Sequence, residues 1–209
     1  RPAGVAGAAP PTRTATDACA EAWAEVSVDE TPGHECGVFA VYAPNQPVSH
    51  LTYLGLYALQ HRGQESAGMA VSDGELITVV KDMGLVPNVF DDRTLAALEG
   101  HLAIGHTRYS TTGSSTWRNA QPVYRGVGDT QFALGHNGNL VNTGELAEEE
   151  GMLLGTVASD SDLVAELVAK ELELAAGRAD AHDLDAVEAG ATLDAAVAKV
   201  LPRLRGAFS

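Results

Sequence analysis

The sequence predicts a globular domain that combines α-helices with β-strands. Hydrophobic residues make up 45% of the 209-residue chain and charged residues 20%, a composition that supports one good-sized core. Apolar residues at intervals of three and four predict helices, and β-branched and aromatic runs predict strands. The Asp73-Gly74 pair between two such runs is typical of a hairpin turn.

The strand-type runs are short and lie in the middle of the chain. Strands are predicted at 38–42, 66–71, 76–80, 101–107 and 132–136. The first of them is rich in β-branched and aromatic residues, so we expect it to be buried. The loop from 110 to 128 is too long to be a mere connection. A last strand begins at 206, where the given sequence stops, so the chain is interpreted as a fragment.

The helical runs are separated from these strands by turn-type sequence. The first helix is predicted to be capped by Ser49 and to end before Gly63. A short helix covers 94–99, and a long one begins after Ser159, which approximates a capping box with Asp162. The apolar face of the first helix is predicted to be Leu51, Leu54, Tyr57 and Ala58, and that of the last helix Leu193, Val197, Val200 and Leu204.

Composition and charge restrict the class of protein. Residues 1–33 are dominated by Ala, Pro, Thr and Gly, which bury too little apolar surface to order themselves, so they are predicted to be a flexible leader. The formal net charge of −15 argues against nucleic acid or anionic lipid as the main partner. No apolar run approaches the roughly 18 residues of a membrane helix. Two cysteines, Cys19 and Cys36, are too few for a disulfide framework, so a cytoplasmic location is predicted.

Cys36 stands at the start of the first predicted strand, shortly after turn-type sequence at 31–33. A thiol held rigidly at the end of a strand suits a nucleophile. Free cysteine is also common as a small buried hydrophobic residue. Taken alone, this stretch favours the structural role.

Four polar clusters lie at strand ends or in neighbouring turns, at 60–68, 105–113, 135–140 and 159–162. Each has a structural explanation: a helix C-terminus, a surface loop, a tight turn and a helix N-cap. Each also suits chemistry. The Arg108 fork matches a carboxylate, and the Asn137 side-chain amide with the next backbone N–H has the makeup of an oxyanion hole. The histidines show no zinc-type spacing, so no metal site is predicted.

Together and in this order, the clusters resemble the N-terminal-nucleophile glutamine amidotransferases. The resemblance extends over 36–209. The motif at 60–65 (QHRGQE) most resembles the members that pass ammonia to phosphoribosyl pyrophosphate in the first committed step of purine synthesis. The resemblance is carried by 36–39 (CGVF), 59–68 (LQHRGQESAG), 105–113 (GHTRYSTTG), 119–122 (NAQP), 136–140 (HNGNL) and 159–162 (SDSD).

The resemblance implies a catalytic role for three residues. The Cys36 thiolate would attack the side-chain amide of glutamine, and the free α-amino group of Cys36 would be the general base. Residues 1–35 would therefore be a propeptide that is removed. The Asn137 amide and the Gly138 backbone N–H would hold the oxyanion.

The resemblance also implies a set of residues that bind glutamine. Arg108 would bind the α-carboxylate and Asp160 the α-ammonium. Arg62 would lie beside the nucleophile and order the site. Tyr109 and Thr111 would belong to a segment that closes over the substrate and excludes water.

The implied fold is of the α+β class: a four-layer αββα sandwich of two antiparallel sheets, incomplete at its C-terminus. Residues 36–209 would be the glutaminase domain, and a phosphoribosyltransferase domain that uses Mg²⁺ would follow. No cofactor is expected within this chain, and the resemblance leaves open a 4Fe–4S cluster in the full-length enzyme, which would be a homo-oligomer. Two alternatives stay open: a glutamine-binding regulatory module without chemistry, and a sister amidotransferase with another acceptor.

Overall fold

The computed structural model describes residues 36–109, 116–152, 157–178 and 192–209. The predicted 1–35 leader and Thr111 lie outside these ranges. The strands are β1 (Gly37–Tyr42), β2 (Ser66–Ser72), β3 (Ile77–Met83), β4 (Leu102–Arg108), β5 (Val123–Val127), β6 (Thr130–Leu134), β7 (Gly138–Leu140) and β8 (Gly206–Phe208). The helices are α1 (Val48–Ala58), α2 (Val86–Val89), α3 (Asp92–Ala97), α4 (Thr143–Glu149), α5 (Asp160–Arg178) and α6 (Leu193–Val200), with 3₁₀ turns at Trp117–Asn119 and Leu201–Arg203.

Every strand pair in the described ranges is antiparallel. Four strands form one sheet in the order β1-β4-β2-β3, and β5–β6 and β7–β8 form two further ladders. In the four-stranded sheet Gly37 of β1 lies opposite Thr107, and Ser66 of β2 lies opposite Arg108. The register therefore places the starts of β1 and β2 on either side of the C-terminal end of β4.

The strands are stacked between two groups of helices. Helices α1–α3 cover one face of the four-stranded sheet, and α5 and α6 pack on β5 and β6 around a second core. The two strand layers contact each other: β3 lies against β6, and the Lys81 ammonium donates to the carbonyls of Ala120 at 2.6 Å and Pro122 at 3.2 Å, just before β5. This order of helix, strand, strand and helix layers confirms the predicted α+β class.

The predicted cap and apolar face of the first helix are wrong. Pro47 is the N-cap residue of α1, while Ser49 lies inside the helix, where its hydroxyl donates to the Leu95 carbonyl at 2.9 Å. Small residues allow α1 to approach the sheet closely: a Cβ at Gly55 would come within 2.4 Å of the Phe39 ring. The buried positions are Val48, Ser49, Thr52 and Leu56, whereas Leu54, Tyr57 and Ala58 are exposed and Leu51 is half-buried.

The prediction that the first strand is buried is also wrong. β1 pairs with β4 at the edge of the sheet, so its alternate side chains reach the surface, and Tyr42 is 68% exposed. The 110–128 loop contains a strand that the sequence did not reveal, β5, which pairs with β6. β6 begins and ends two residues earlier than predicted. The hairpin at Asp73-Gly74 is confirmed, because the Asp73 carboxylate accepts the Glu75 and Leu76 N–H groups at 2.9 and 2.8 Å.

The start of α5 has the predicted capping arrangement in a modified form. The Ser159 hydroxyl accepts the Asp162 N–H at 3.2 Å, and the Asp162 carboxylate accepts the N–H of Ala158 at 3.0 Å. One donor of the first turn and one donor of the segment that leads into the helix are thereby satisfied. Among the described residues, none of the helices combines the length and apolarity that a bilayer span requires.

Candidate functional site

Cys36 lies one residue before β1, where two glycines allow an unusually close approach of the backbone. A Cβ at Gly37 would lie 2.6 Å from the Thr107 hydroxyl oxygen, and a Cβ at Gly63 would lie 2.6 Å from the Thr107 carbonyl oxygen. Any larger residue would displace the strand end or the turn after α1. Glycine at these positions therefore brings Cys36 and the turn after α1 against the C-terminal end of β4.

Three of the predicted site residues contact Cys36 directly. The backbone carbonyl of Cys36 accepts the Arg62 Nε–H at 3.2 Å and the Asn137 side-chain amide at 2.9 Å. Its thiol donates to the Tyr109 carbonyl at 3.5 Å. Polar clusters that are far apart in the sequence thus meet at Cys36. Two of them contact its backbone carbonyl, and one contacts its thiol.

The surroundings of the Cys36 thiol shift its pKa in opposite directions. Burial raises the pKa of this thiol above its ordinary value, and the nearby Asp160 carboxylate raises it further, while the Arg108 guanidinium lowers it. The net effect is a raised pKa, so the thiol is protonated at neutral pH. A base is therefore needed before the sulfur can act as a nucleophile.

Arg108 ends β4 with its side chain buried. Its Nη1 forms an ion pair with the Glu65 carboxylate at 3.3 Å, and the Glu65 N–H donates to the Arg108 carbonyl at 3.1 Å. A buried guanidinium needs such a partner to offset its desolvation. Glu65 lies in the QHRGQE stretch, but nothing in that stretch distinguished it as the partner of Arg108.

Asp160 is the first residue of α5. One carboxylate oxygen accepts the Ser161 N–H at 2.8 Å, and the other lies 3.8 Å from His136 Nδ1. The same His136 nitrogen lies 3.2 Å from the Ser161 hydroxyl. Asp160 is thus set beside His136, which directly precedes the Asn137-Gly138 pair.

The Asn137-Gly138 pair begins a strand, although alone it is typical of a tight turn. Asn137 and Ser209 exchange two backbone hydrogen bonds of 2.9 and 2.7 Å. In an antiparallel ladder the next pair, Gly138 with Phe208, is then a non-hydrogen-bonded one, so the Gly138 N–H is directed away from β8. Gly138 has φ 155°, and a Cβ there would lie 2.3 Å from the Ala207 carbonyl oxygen, so this position requires glycine.

His106 is fully buried in β4, next to the site. Its Nε2 lies 3.0 Å from the His136 carbonyl oxygen, an acceptor, so this nitrogen carries the proton. Burial lowers the pKa of His106 to about 4, and the ring is neutral at physiological pH. In the part of the chain that the structure describes, no group of three His, Cys, Asp or Glu side chains is placed to hold a metal ion.

The buried His106 predicts a loss of stability in acid. Its ordinary pKa is 6.5 and its pKa in the fold is about 4, so between these values the unfolded chain binds more protons. Stability is then full above pH 6.5 and falls as the pH falls toward 4, by about 2–3 kcal/mol for this residue. We expect the His106→Gln variant to lose correspondingly less stability than the unmodified protein between pH 7 and pH 4.5, measured by urea unfolding. Equal losses in the two proteins would contradict this.

An open groove of about 920 Å³ lies between β3, the first 3₁₀ turn and β5, and none of the predicted site residues lines it. Two of its cations already have partners: Lys81 binds two backbone carbonyls, and Arg125 is ion-paired with Asp162 at 2.5 Å and Glu166 at 3.1 Å. The candidate site is therefore the cluster around Cys36.

The comparisons with known proteins agree on one kind of relative. The chain is 52% identical over 186 residues to an amidophosphoribosyltransferase of Mycobacterium leprae, a match that covers 85% of this chain and 31% of that protein. It is 46% identical over 185 residues to the one of Synechococcus elongatus, covering 86% and 34%. A scan against protein-family models gives no match.

The solved structures give the same relationship. The chain aligns with the glutamine phosphoribosylpyrophosphate amidotransferase of B. subtilis, solved in complex with ADP and GMP, with a TM-score of 0.64 and 35% identity. A second structure, described as the allosteric regulatory enzyme of purine biosynthesis, aligns with a TM-score of 0.64 and 37% identity. Both alignments cover 83% of this chain and 34% of the solved chain. The chain therefore spans about a third of the length of these relatives.

Proposed function

Because the chain belongs to the amidophosphoribosyltransferase family, we propose that residues 36–209 form its glutamine-hydrolysing domain. The domain releases glutamate and ammonia from glutamine. The whole protein passes this ammonia to phosphoribosyl pyrophosphate, giving 5-phosphoribosylamine for purine synthesis in the cytoplasm. Mg²⁺ would act in the phosphoribosyltransferase part.

The contact between Asn137 and Cys36 carries this proposal. The two residues are 101 positions apart in the sequence, and the Asn137 amide lies 2.9 Å from the Cys36 carbonyl. An amide at this distance can turn toward an oxyanion formed at the neighbouring sulfur. The Gly138 N–H, which is directed away from β8, supplies the second donor.

The chemistry requires a proton acceptor beside the thiol. The free α-amino group of Cys36, with an ordinary pKa of about 7.7–8.0, takes the thiol proton, and the sulfur forms a bond to the amide carbon of glutamine. The carbon–nitrogen bond then breaks, the nitrogen receives the proton and leaves as ammonia, and a thioester remains. Water hydrolyses the thioester to glutamate and restores the thiol. The amino group is free only after residues 1–35 are removed.

Charged side chains on both sides of Cys36 suit the rest of the substrate. Arg108 binds the α-carboxylate, since the planar guanidinium fork matches the two oxygens of a carboxylate. Asp160, at the start of α5, receives the α-ammonium. Arg62 holds the Cys36 main chain, while Tyr109 and Thr111 belong to the segment that covers the substrate.

Replacing Asn137 by alanine tests the assignment. Loss of one oxyanion donor costs about 2.7–4 kcal/mol of transition-state stabilisation, so we expect kcat for glutamine hydrolysis to fall about 10²–10³-fold with little change in KM. The assay measures glutamate released by protein that begins at Cys36.

The matched control is Asn139→Ala, which removes an exposed amide two residues along the same strand and should leave kcat within about twofold. An Asn137→Ala enzyme with ordinary kcat would exclude the oxyanion role. Glutamine binding without any glutamate release by the unsubstituted mature protein would instead favour a regulatory module.

A further inference from the structure

The side-chain amide of Gln121 forms hydrogen bonds with both the backbone N–H and the backbone carbonyl of His136. Its Oε1 accepts the His136 N–H at 2.7 Å, and its Nε2 donates to the His136 carbonyl at 3.1 Å. Gln121 and His136 are each 5% exposed, so water does not compete for these bonds. The side chain therefore satisfies the main chain of His136 as a neighbouring strand would.

The peptide unit that joins His136 to Asn137 is held from both ends. Its carbonyl oxygen accepts the Gln121 amide and also His106 Nε2, at 3.0 Å. Its N–H donates to the Ser209 carbonyl at 2.9 Å. The orientation of this peptide fixes where the Asn137 side chain and the Gly138 N–H point.

The main chain around Gln121 packs against the four-stranded sheet. The edge strand of that sheet, β1, begins directly after Cys36. A Cβ at Gly68 in β2 would lie 2.1 Å from the Gln121 carbonyl oxygen, so the two backbones are in close contact. On either side of Gln121, the carbonyls of Ala120 and Pro122 accept the Lys81 ammonium. Gln121 thus connects the layer that carries the nucleophile with the layer that carries Asn137.

We propose that Gln121 is the positioning residue of the oxyanion hole: by fixing the His136 main chain, it keeps the Asn137 amide, which donates to the Cys36 carbonyl in this structure, and the Gly138 N–H within reach of the oxygen that develops beside the Cys36 sulfur. This inference rests on the proposed glutaminase function. It requires an amide in particular. A carboxylate of the same size would still accept the His136 N–H, but its second oxygen would face the His136 carbonyl and repel it.

The test compares Gln121→Glu and Gln121→Met with the unsubstituted protein, all beginning at Cys36. We expect kcat for glutamine hydrolysis to fall about 10–100-fold with little change in KM, because misplacement of about 1 Å can cost about 100-fold. The decisive probe is glutamate γ-semialdehyde. The Cys36 thiol adds across its aldehyde C=O, the sulfur bonding to carbon and the proton going to the new oxygen, which occupies the oxyanion hole. Its affinity should fall by the same factor as kcat, while the Kd of glutamate, which forms no such adduct, stays unchanged.

Gln131→Met is the matched control. Gln131 Oε1 also accepts two hydrogen bonds, from the Ile77 N–H at 3.3 Å and the Tyr124 hydroxyl at 3.1 Å. Neither Ile77 nor Tyr124 belongs to the site around Cys36, so kcat and aldehyde affinity should be unchanged in this variant. Equal losses of aldehyde and glutamate affinity in the Gln121 variants would show general damage and overturn the positioning role. Unchanged kcat and aldehyde affinity would overturn it as well. If the unsubstituted mature protein released no glutamate, the proposed function would fail first, and this inference with it.

Discussion

Replacing Cys36 by alanine is expected to reduce glutamine hydrolysis by roughly 10⁴-fold or more, as happens when the nucleophile of a covalent mechanism is removed. The sulfur is the only atom lost, and no neighbouring group can form the thioester in its place. The measurement is glutamate release by purified protein. Glutamine binding, measured by calorimetry, should persist because Arg108 and Asp160 are unchanged.

The fold should tolerate this substitution. Arg62 and Asn137 bind the backbone carbonyl of Cys36 and not its sulfur, and the thiol is only a weak donor to the Tyr109 carbonyl, at 3.5 Å. We therefore expect the free energy of unfolding to change by about 1 kcal/mol or less. Cys19→Ala is the control and should leave activity unchanged, since Cys19 lies in the segment that we propose is removed. Turnover above about a hundredth of the ordinary rate in Cys36→Ala would contradict covalent catalysis by the thiol.

Elements fixed by local chemistry could be predicted from the sequence. The Asp73-Gly74 hairpin needs a carboxylate and a glycine at adjacent positions, and both act locally, the glycine at φ 101°. The start of α5 depends on Ser159 and Asp162, which are three residues apart. In each case the partners are near neighbours in the chain, so spacing alone identifies them.

Elements fixed by distant packing could not be predicted in the same way. The face of α1 that contacts the sheet contains the buried Ser49 and Thr52 and the half-buried Gly55, whose small size allows close contact, whereas the spacing of the large apolar residues indicates the opposite side. β7 is three residues long and pairs with β8 near the end of the chain. A strand this short has too few side chains to show an alternating pattern.

The candidate site shows the same division. Family motifs identified Cys36, Arg62 and Asn137, which the structure brings into contact. They did not reveal that Glu65 pairs with Arg108 or that Gln121 binds the His136 main chain, because the two groups in each contact are not neighbours in the sequence. Glu65 and Gln121 both lie inside the family motifs, at 59–68 and 119–122. The sequence therefore marked them as part of the resemblance but did not show which groups they bind.

Keeping residues 1–35 attached to Cys36 is expected to lower kcat/KM for glutamine about 10²–10⁴-fold, the usual contribution of a general base. In the extended chain the Cys36 nitrogen is part of a peptide bond and cannot accept a proton. The raised pKa of the buried thiol makes this loss severe, because little thiolate forms without a base. The comparison uses the same preparation before and after removal of the segment, with the N-terminus defined by mass spectrometry.

The pH dependence distinguishes loss of the base from simple obstruction of the site. In protein that begins at Cys36, kcat/KM should rise with pH through an apparent pKa of about 7.7–8.0, since only the neutral amine accepts the thiol proton. A chain with one extra glycine before Cys36 retains an amine but displaces it by one residue, about 3.8 Å along the backbone, and this form should lose both the rate and that limb of the profile. Full activity with the thirty-five-residue segment in place would show that another group deprotonates the thiol, and His136, whose Nδ1 lies 3.8 Å from the Asp160 carboxylate, would be the first residue to replace.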